Sequence, residues 1–221
     1  QPSSNSTIID GMIFMRSNSR LSRIVKGGEV NSLNLFEIDF APIRNVEVSE
    51  VYFLRSPHPN QYYSMGLTAL EVDNVIIKDN VFSSPKAGII IGNAQRGKPL
   101  IISNLIYGCE IHGIATGSFN SLFLGDEFIK GENIFIGNKK NIRLYSLSQT
   151  VPAQWNYWYN ENKELLTTEE TILPTIEMID WQSRKTFTSS DNTTTKVIEV
   201  MPCYTTEPFI YSSARNWTDY K

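Results

Sequence analysis

Apolar and polar positions along this chain fall into short runs that recur. The run VIIKDNVF (75–82) sets the pattern, with an apolar residue five positions before a closing aromatic. TIIDGMIF (7–14), VEVSEVYF (46–53), LIISNLIY (100–107) and, more loosely, SLFLGDEF (121–128) repeat it. Ile9, Val48, Ile77, Ile102 and Phe123 thus precede Phe14, Phe53, Phe82, Tyr107 and Phe128, and these aromatics stand 39, 29, 25 and 21 residues apart. Spacings of about 20 to 50 residues are those of repeat architectures.

A second string follows each unit. AGIIIGN (87–93) comes after Phe82, HGIATGS (112–118) after Tyr107 and ENIFIGN (132–138) after Phe128. GLTALEV (66–72) follows Phe53, delayed by the insertion SPHPNQYYSM (56–65). Each period therefore holds two strand-like runs divided by Gly, Asn, Ser and Pro, with no room for a long helix. A strand pair of this size cannot bury its inner face alone, so the coils must stack and line a shared interior with equivalent residues. An antiparallel sandwich offers similar short strands, but gives no reason for two different strings to recur in the same order.

VDNVIIKDNVF followed by AGIIIGN resembles the rungs of the right-handed parallel β-helix proteins, the pectate-lyase-like superfold, with Asn80 at the turn before the aromatic. The resemblance covers roughly residues 7–145. It implies an all-β fold, a right-handed parallel β-helix over 1–148 and a smaller C-terminal β region over 149–221. It carries little about chemistry, because this superfold hosts polysaccharide lyases, glycoside hydrolases, epimerases and bacteriophage tailspikes.

Composition narrows the classes. A net charge of −3 and a pI near 5.5 argue against a nucleic-acid footprint. No apolar run approaches membrane-spanning length, and no basic stretch followed by an apolar run opens the chain. Cys109 and Cys203 are too few for a disulfide framework or a zinc cluster, and nothing points to a cofactor or metal. Sequons at Asn5, Asn192 and Asn216 are expected by chance in a chain rich in Asn, Ser and Thr. The coil pattern begins almost at Gln1, so the chain is expected to be the last coils of a longer solenoid.

Candidate chemistry lies on the coils and their loops. If Phe53 and Phe82 are in register, Glu50 and Asp79 become vertical neighbours about 4.8 Å apart, the separation of a retaining glycosidase pair. Glu71 and Asp73 are further candidate catalytic carboxylates, and Glu110, His112, Asp126 and Glu127 form a looser set. A solvated outer face is the ordinary alternative for each. Tyr62 and Tyr63 in the insertion either line a sugar groove or shield a neighbouring coil, and Arg16, Arg20, Arg23 and Lys26 lie in a basic loop that suits an anionic polysaccharide but that solvation also explains.

After Tyr145 the coil pattern stops and SLSQTVPAQWNYWYNENKELL (146–166) follows. Trp155, Tyr157, Trp158 and Tyr159 there, Trp155 and Trp158 foremost, form either a carbohydrate-binding or subunit surface, or a cover for the last coil or the core of a second small domain. The layout resembles the bacteriophage tailspikes. That resemblance implies a homotrimer at a virion surface or outside the cell, binding host polysaccharide with or without degrading it. A free secreted lyase or hydrolase and a non-catalytic stalk are the alternatives.

Overall fold

A computed structural model describes residues 8–15, 23–26, 29–35, 43–54, 65–69, 72–83, 86–92, 99–117, 122–145, 150–179, 186–187 and 198–206. These residues are nearly all β, with one short helix, Glu169–Ile172, running into the 3-10 turn Leu173–Thr175. Strands pair parallel throughout, except where Leu165–Leu166 and Thr186–Phe187 close antiparallel on the last coils. The fold is therefore a parallel β-solenoid, and the sandwich alternative falls.

Three faces wind around one interior. The first stacks Tyr52–Leu54, Val81–Ser83, Leu105–Tyr107, Ile134–Ile136 and Tyr157–Tyr159. The second stacks Met65–Ala69, Ala87–Ile91, His112–Thr116, Ile142–Leu144 and Ile176–Ile179. Glu29–Leu35 pairs with both and joins them in one 14-stranded sheet. The third face stacks Arg23–Lys26, Ile43–Ser49, Val72–Lys78 and Leu100–Ile102. A bridge from Leu100 to Phe123 extends it.

Side-chain alternation turns one apolar set into the shared interior, while on the first face the alternate residues Val81, Leu105, Ile134, Ile136 and Tyr159 pack together on the other side. Phe53, Phe82, Ile106, Phe135 and Trp158 form one interior column, and Val48, Ile77, Ile101 and Leu124 line the third face. Phe53 stacks on Phe82 at 4.4 Å between ring centres, and Phe135 on Trp158 at 4.7 Å. Dispersion between parallel rings adds to the burial of so much apolar area.

Several registers differ from those read off the sequence. Phe53 and Phe82 are in register, but Phe82 pairs with Ile106 rather than Tyr107, and Ile77 with Ile101 rather than Ile102. Ile9 pairs with Val30 and not with the Val48 column, whose earlier member is Val25. ENIFIGN belongs to the first face, since Phe135 pairs with Ile106, and the second face continues instead at Ile142. Phe128 closes no strand and is 84% exposed. The aromatic itself misled the alignment: any large apolar side chain fills that interior slot, so Ile106 serves as well as Phe.

Stacking also crosses residue 148. Tyr157–Tyr159 and Ile176–Ile179 add parallel strands to the first two faces, and Val151–Pro152 pairs in parallel with Ile198–Glu199. The change of composition after Tyr145 is a change of side chains on a continuing ladder.

Candidate functional site

The corner between the third and first faces is built by one device repeated on five successive coils from Glu50 to Trp155. Glu50, Asp79, Ser103, Glu132 and Trp155 stand there with φ of 58°, 56°, 54°, 53° and 57°, the left-handed region that non-glycine residues seldom occupy. Each such residue costs about 1 kcal/mol or more. Val51 follows Glu50; after each of the other four the next residue is a buried asparagine that offsets that cost: Asn80, Asn104, Asn133 or Asn156. The amides form a continuous ladder. Asn80 Nδ2 donates to Asn104 Oδ1 at 3.0 Å, Asn104 Nδ2 to Asn133 Oδ1 at 3.1 Å and Asn133 Nδ2 to Asn156 Oδ1 at 2.9 Å. Backbone carbonyls of the preceding strands take the remaining amide protons.

This inner ladder fixes an outer one. Because the corner residues share one backbone conformation, their side chains leave the solenoid in a row, one per coil, about 4.8 Å apart. Glu50 and Asp79 are neighbours in that row, as their sequence positions suggest, and Glu132 lies two coils beyond Asp79 with Ser103 between. Lys78 pairs with Glu47 at 3.2 Å beside them, and Ser49 Oγ donates to the same Glu47 oxygen at 3.2 Å. Burial holds the Asp79 carboxyl above the usual carboxylate range. Lys78 opposes that shift, while Glu50, Glu132 and Glu47 add to it.

At its far end the row meets an aromatic group. Tyr204 stacks on Tyr157 at 4.1 Å and tilts against Trp155 at 5.8 Å. Its hydroxyl donates to Glu132 Oε1 at 3.3 Å, and Ser103 Oγ donates to Glu132 Oε2 at 3.4 Å. Burial, the Glu132 charge and Tyr157 push the Tyr204 phenol up to about 12, so the phenol keeps its proton for Glu132. Lys130 Nζ sits 4.9 Å from the centre of the Trp155 ring. Exposed Glu132 is thus a carboxylate held between a hydroxyl and a phenol, with half-buried ring faces beside it.

The other sequence candidates divide. Trp158 does not reach this surface: it is wholly buried on Phe135, because the two-residue alternation that turns Tyr157 outward turns Trp158 inward. Asp73 lies in the strand Val72–Lys78, paired with Arg44. Glu71, Tyr62, Tyr63, Arg16 and Arg20 fall outside the described residues. Asp126 and Glu127 sit at the same corner as Glu132, whereas Glu110 and His112 lie at the turn between the first and second faces, so the loose set is not one site. Sequence reasoning placed Tyr157 in its aromatic group but missed Glu132 and Tyr204. Glu132 carries a signal: DNVF, SNLI, ENIF and WNYW (79–82, 103–106, 132–135, 155–158) share an Asn before two large residues, and aligning on that Asn finds the row.

His112 is buried, and its Nδ1 has no hydrogen-bond partner among the described residues. Burial, and next the Arg143 charge, lower it to about 4, against a weaker pull from Glu177. The unfolded chain, with an ordinary histidine near 6.5, therefore binds more protons between these values. Stability is full above about pH 6.5 and falls as the pH drops toward about 4, by at most about 3 kcal/mol from this group. Urea midpoints from pH 7.5 to 4.5 should fall less steeply for His112→Gln than for the parent; parallel slopes would contradict the assignment.

Among the described residues no cluster of three or more His, Cys, Asp or Glu is disposed to hold a metal ion, and no helix is long and apolar enough to cross a membrane. No protein-family model, curated protein or solved structure matches the chain.

Proposed function

We propose that the chain binds polysaccharide along the row from Glu50 to Trp155, as part of a tailspike-like appendage that assembles as a trimer. The observation that carries the binding is the conjunction at Glu132: a carboxylate steadied by Ser103 and Tyr204, flanked by the rings of Trp155, Tyr157 and Tyr204. Carboxylates accept hydrogen bonds from sugar hydroxyls, and aromatic faces cover the apolar faces of pyranose rings. A row with a period of about 4.8 Å also suits a polymer better than a small molecule. The appendage setting rests on the β-solenoid architecture, which the tailspikes share.

An array of bacterial surface polysaccharides tests the binding. The parent chain is expected to retain at least one, and Trp155→Ala and Glu132→Gln each to weaken it by about tenfold. Retention by both variants at parental strength would overturn the reading. Light scattering tests the assembly separately, since a stable monomer of 25.1 kDa would remove the trimer.

A hydrolytic role is the second reading, favoured by the raised Asp79 carboxyl, which suits a general acid. Glu50 one coil away matches a retaining separation of roughly 5 Å, and Glu132 at about twice the coil spacing lies near the upper limit for inversion. Release of reducing ends from the bound polymer, lost in Asp79→Asn, would establish it.

A further inference from the structure

The residues between Gly125 and Gly131 make an outward bulge whose tip bears Phe128, 84% exposed, and Ile129, 46% exposed. Its neck is closed. Gly125 has φ +122°, and a Cβ there would meet the Gly131 amide; a Cβ on Gly131 would collide with the Leu124 carbonyl. Gly125 O accepts from the Gln154 amide at 3.0 Å, and the Gly131 amide donates to Gln154 O at 3.3 Å. The tip is braced as well. Asp126 Oδ1 accepts from the amides of Phe128 and Ile129, each at 2.8 Å, and the Asp126 amide donates to Ile129 O at 2.8 Å.

An exposed ring is ordinarily free to collapse onto the surface, and this one is held away from it. We infer that Phe128 is a second stacking platform for the same polysaccharide, contacting an uncharged sugar unit next to the one that meets Trp155 and Tyr204. This inference rests on the proposed polysaccharide reading. Three observations select the occupant. The bulge is rooted on the Gln154–Trp155 segment, and Lys130, its last side chain, lies over the Trp155 ring, so arm and platform are continuous. Phe128 and Ile129 together offer far less area than the roughly 1,600 Å² of a stable protein interface, whereas one ring face matches one sugar. Exposed Glu127 and Glu132 flank the arm and disfavour a uronate or sulfated unit by like-charge repulsion.

The experiment uses the full chain and an array bearing neutral and acidic bacterial polysaccharides, with the affinity for the best-bound polymer then measured in solution. Phe128→Ala is expected to weaken binding to a neutral polymer by about five- to tenfold, and Phe128→Trp to restore it. The melting temperature should not move, since the side chain is on the surface. Loss of affinity in Trp155→Ala with none in Phe128→Ala would overturn this inference and leave the polysaccharide reading standing. Binding by the parent to acidic polymers alone would also overturn it, as would a fall in solution mass in Phe128→Ala with sugar affinity intact. If the parent retains no polymer, both readings fall together.

Discussion

Gly131→Ala is expected to abolish the cooperative unfolding transition, or to lower stability by more than about 4 kcal/mol. The added methyl would meet the Leu124 carbonyl of the same coil and the Asn156 side-chain amide of the next. Neither can yield without cost: Leu124 is wholly buried, and Asn156 Nδ2 donates to Leu124 O at 2.9 Å while its Oδ1 accepts from the Asn133 amide at 3.0 Å. The damage would therefore spread into the asparagine ladder. Gly137→Ala is the matched comparison, because its Cβ would meet nothing closer than 3.7 Å and only the left-handed φ of 63° opposes it. That substitution should cost about 1 to 2 kcal/mol. Urea unfolding of both variants decides the point, and equal losses would refute the close-approach account.

Asn104→Ala should cost about 3 to 5 kcal/mol, the effect of orphaning several buried backbone groups at once. Asn104 Nδ2 donates to Ile77 O at 2.9 Å and to Ile102 O at 2.8 Å, and its Oδ1 accepts from the Asn80 amide at 3.1 Å. Alanine supplies none of these partners. Ser103→Ala, one residue away in the outer row, should change stability by less than about 0.5 kcal/mol, since its hydroxyl makes an exposed bond of 3.4 Å. Thermal melts of the two variants would place the weight of the corner on its inner or its outer row. Comparable shifts would contradict the division.

The same corner links stability to function. Four amides in a column force the residue before each into a left-handed turn, and a side chain in that turn points away from the core. Glu50, Asp79, Ser103, Glu132 and Trp155 are free to vary in chemistry because Asn80, Asn104, Asn133, Asn156 and the backbone carry the turn. Phe128 is presented by a related means, a pair of glycines at a neck that no other residue fits.

Much of the fold was legible in the sequence because a solenoid writes its period into the chain. Short apolar runs separated by turn residues exclude long helices, and two strings recurring in order call for coils stacked on a common interior. The adjacency of Glu50 and Asp79 followed from the register of Phe53 with Phe82. Beyond that pair the aromatic was a poor guide, since burial asks only for size and Ile106 meets it. Asparagine was the sharper marker: its short carboxamide supplies two donors and an acceptor, and the ladder uses all of them, whereas the core position asks only for size. Sequence determined the repeat, the strand content and the chemistry available at each turn. Tertiary structure alone decided which positions coincide. Coil lengths vary with insertions such as GDEFIK, so sequence distance does not measure height along the solenoid. Pairing of backbone groups between coils does, and it set Glu132 in line with Asp79, put Tyr204 on Tyr157, and turned Trp158 into the core while leaving Trp155 at the surface.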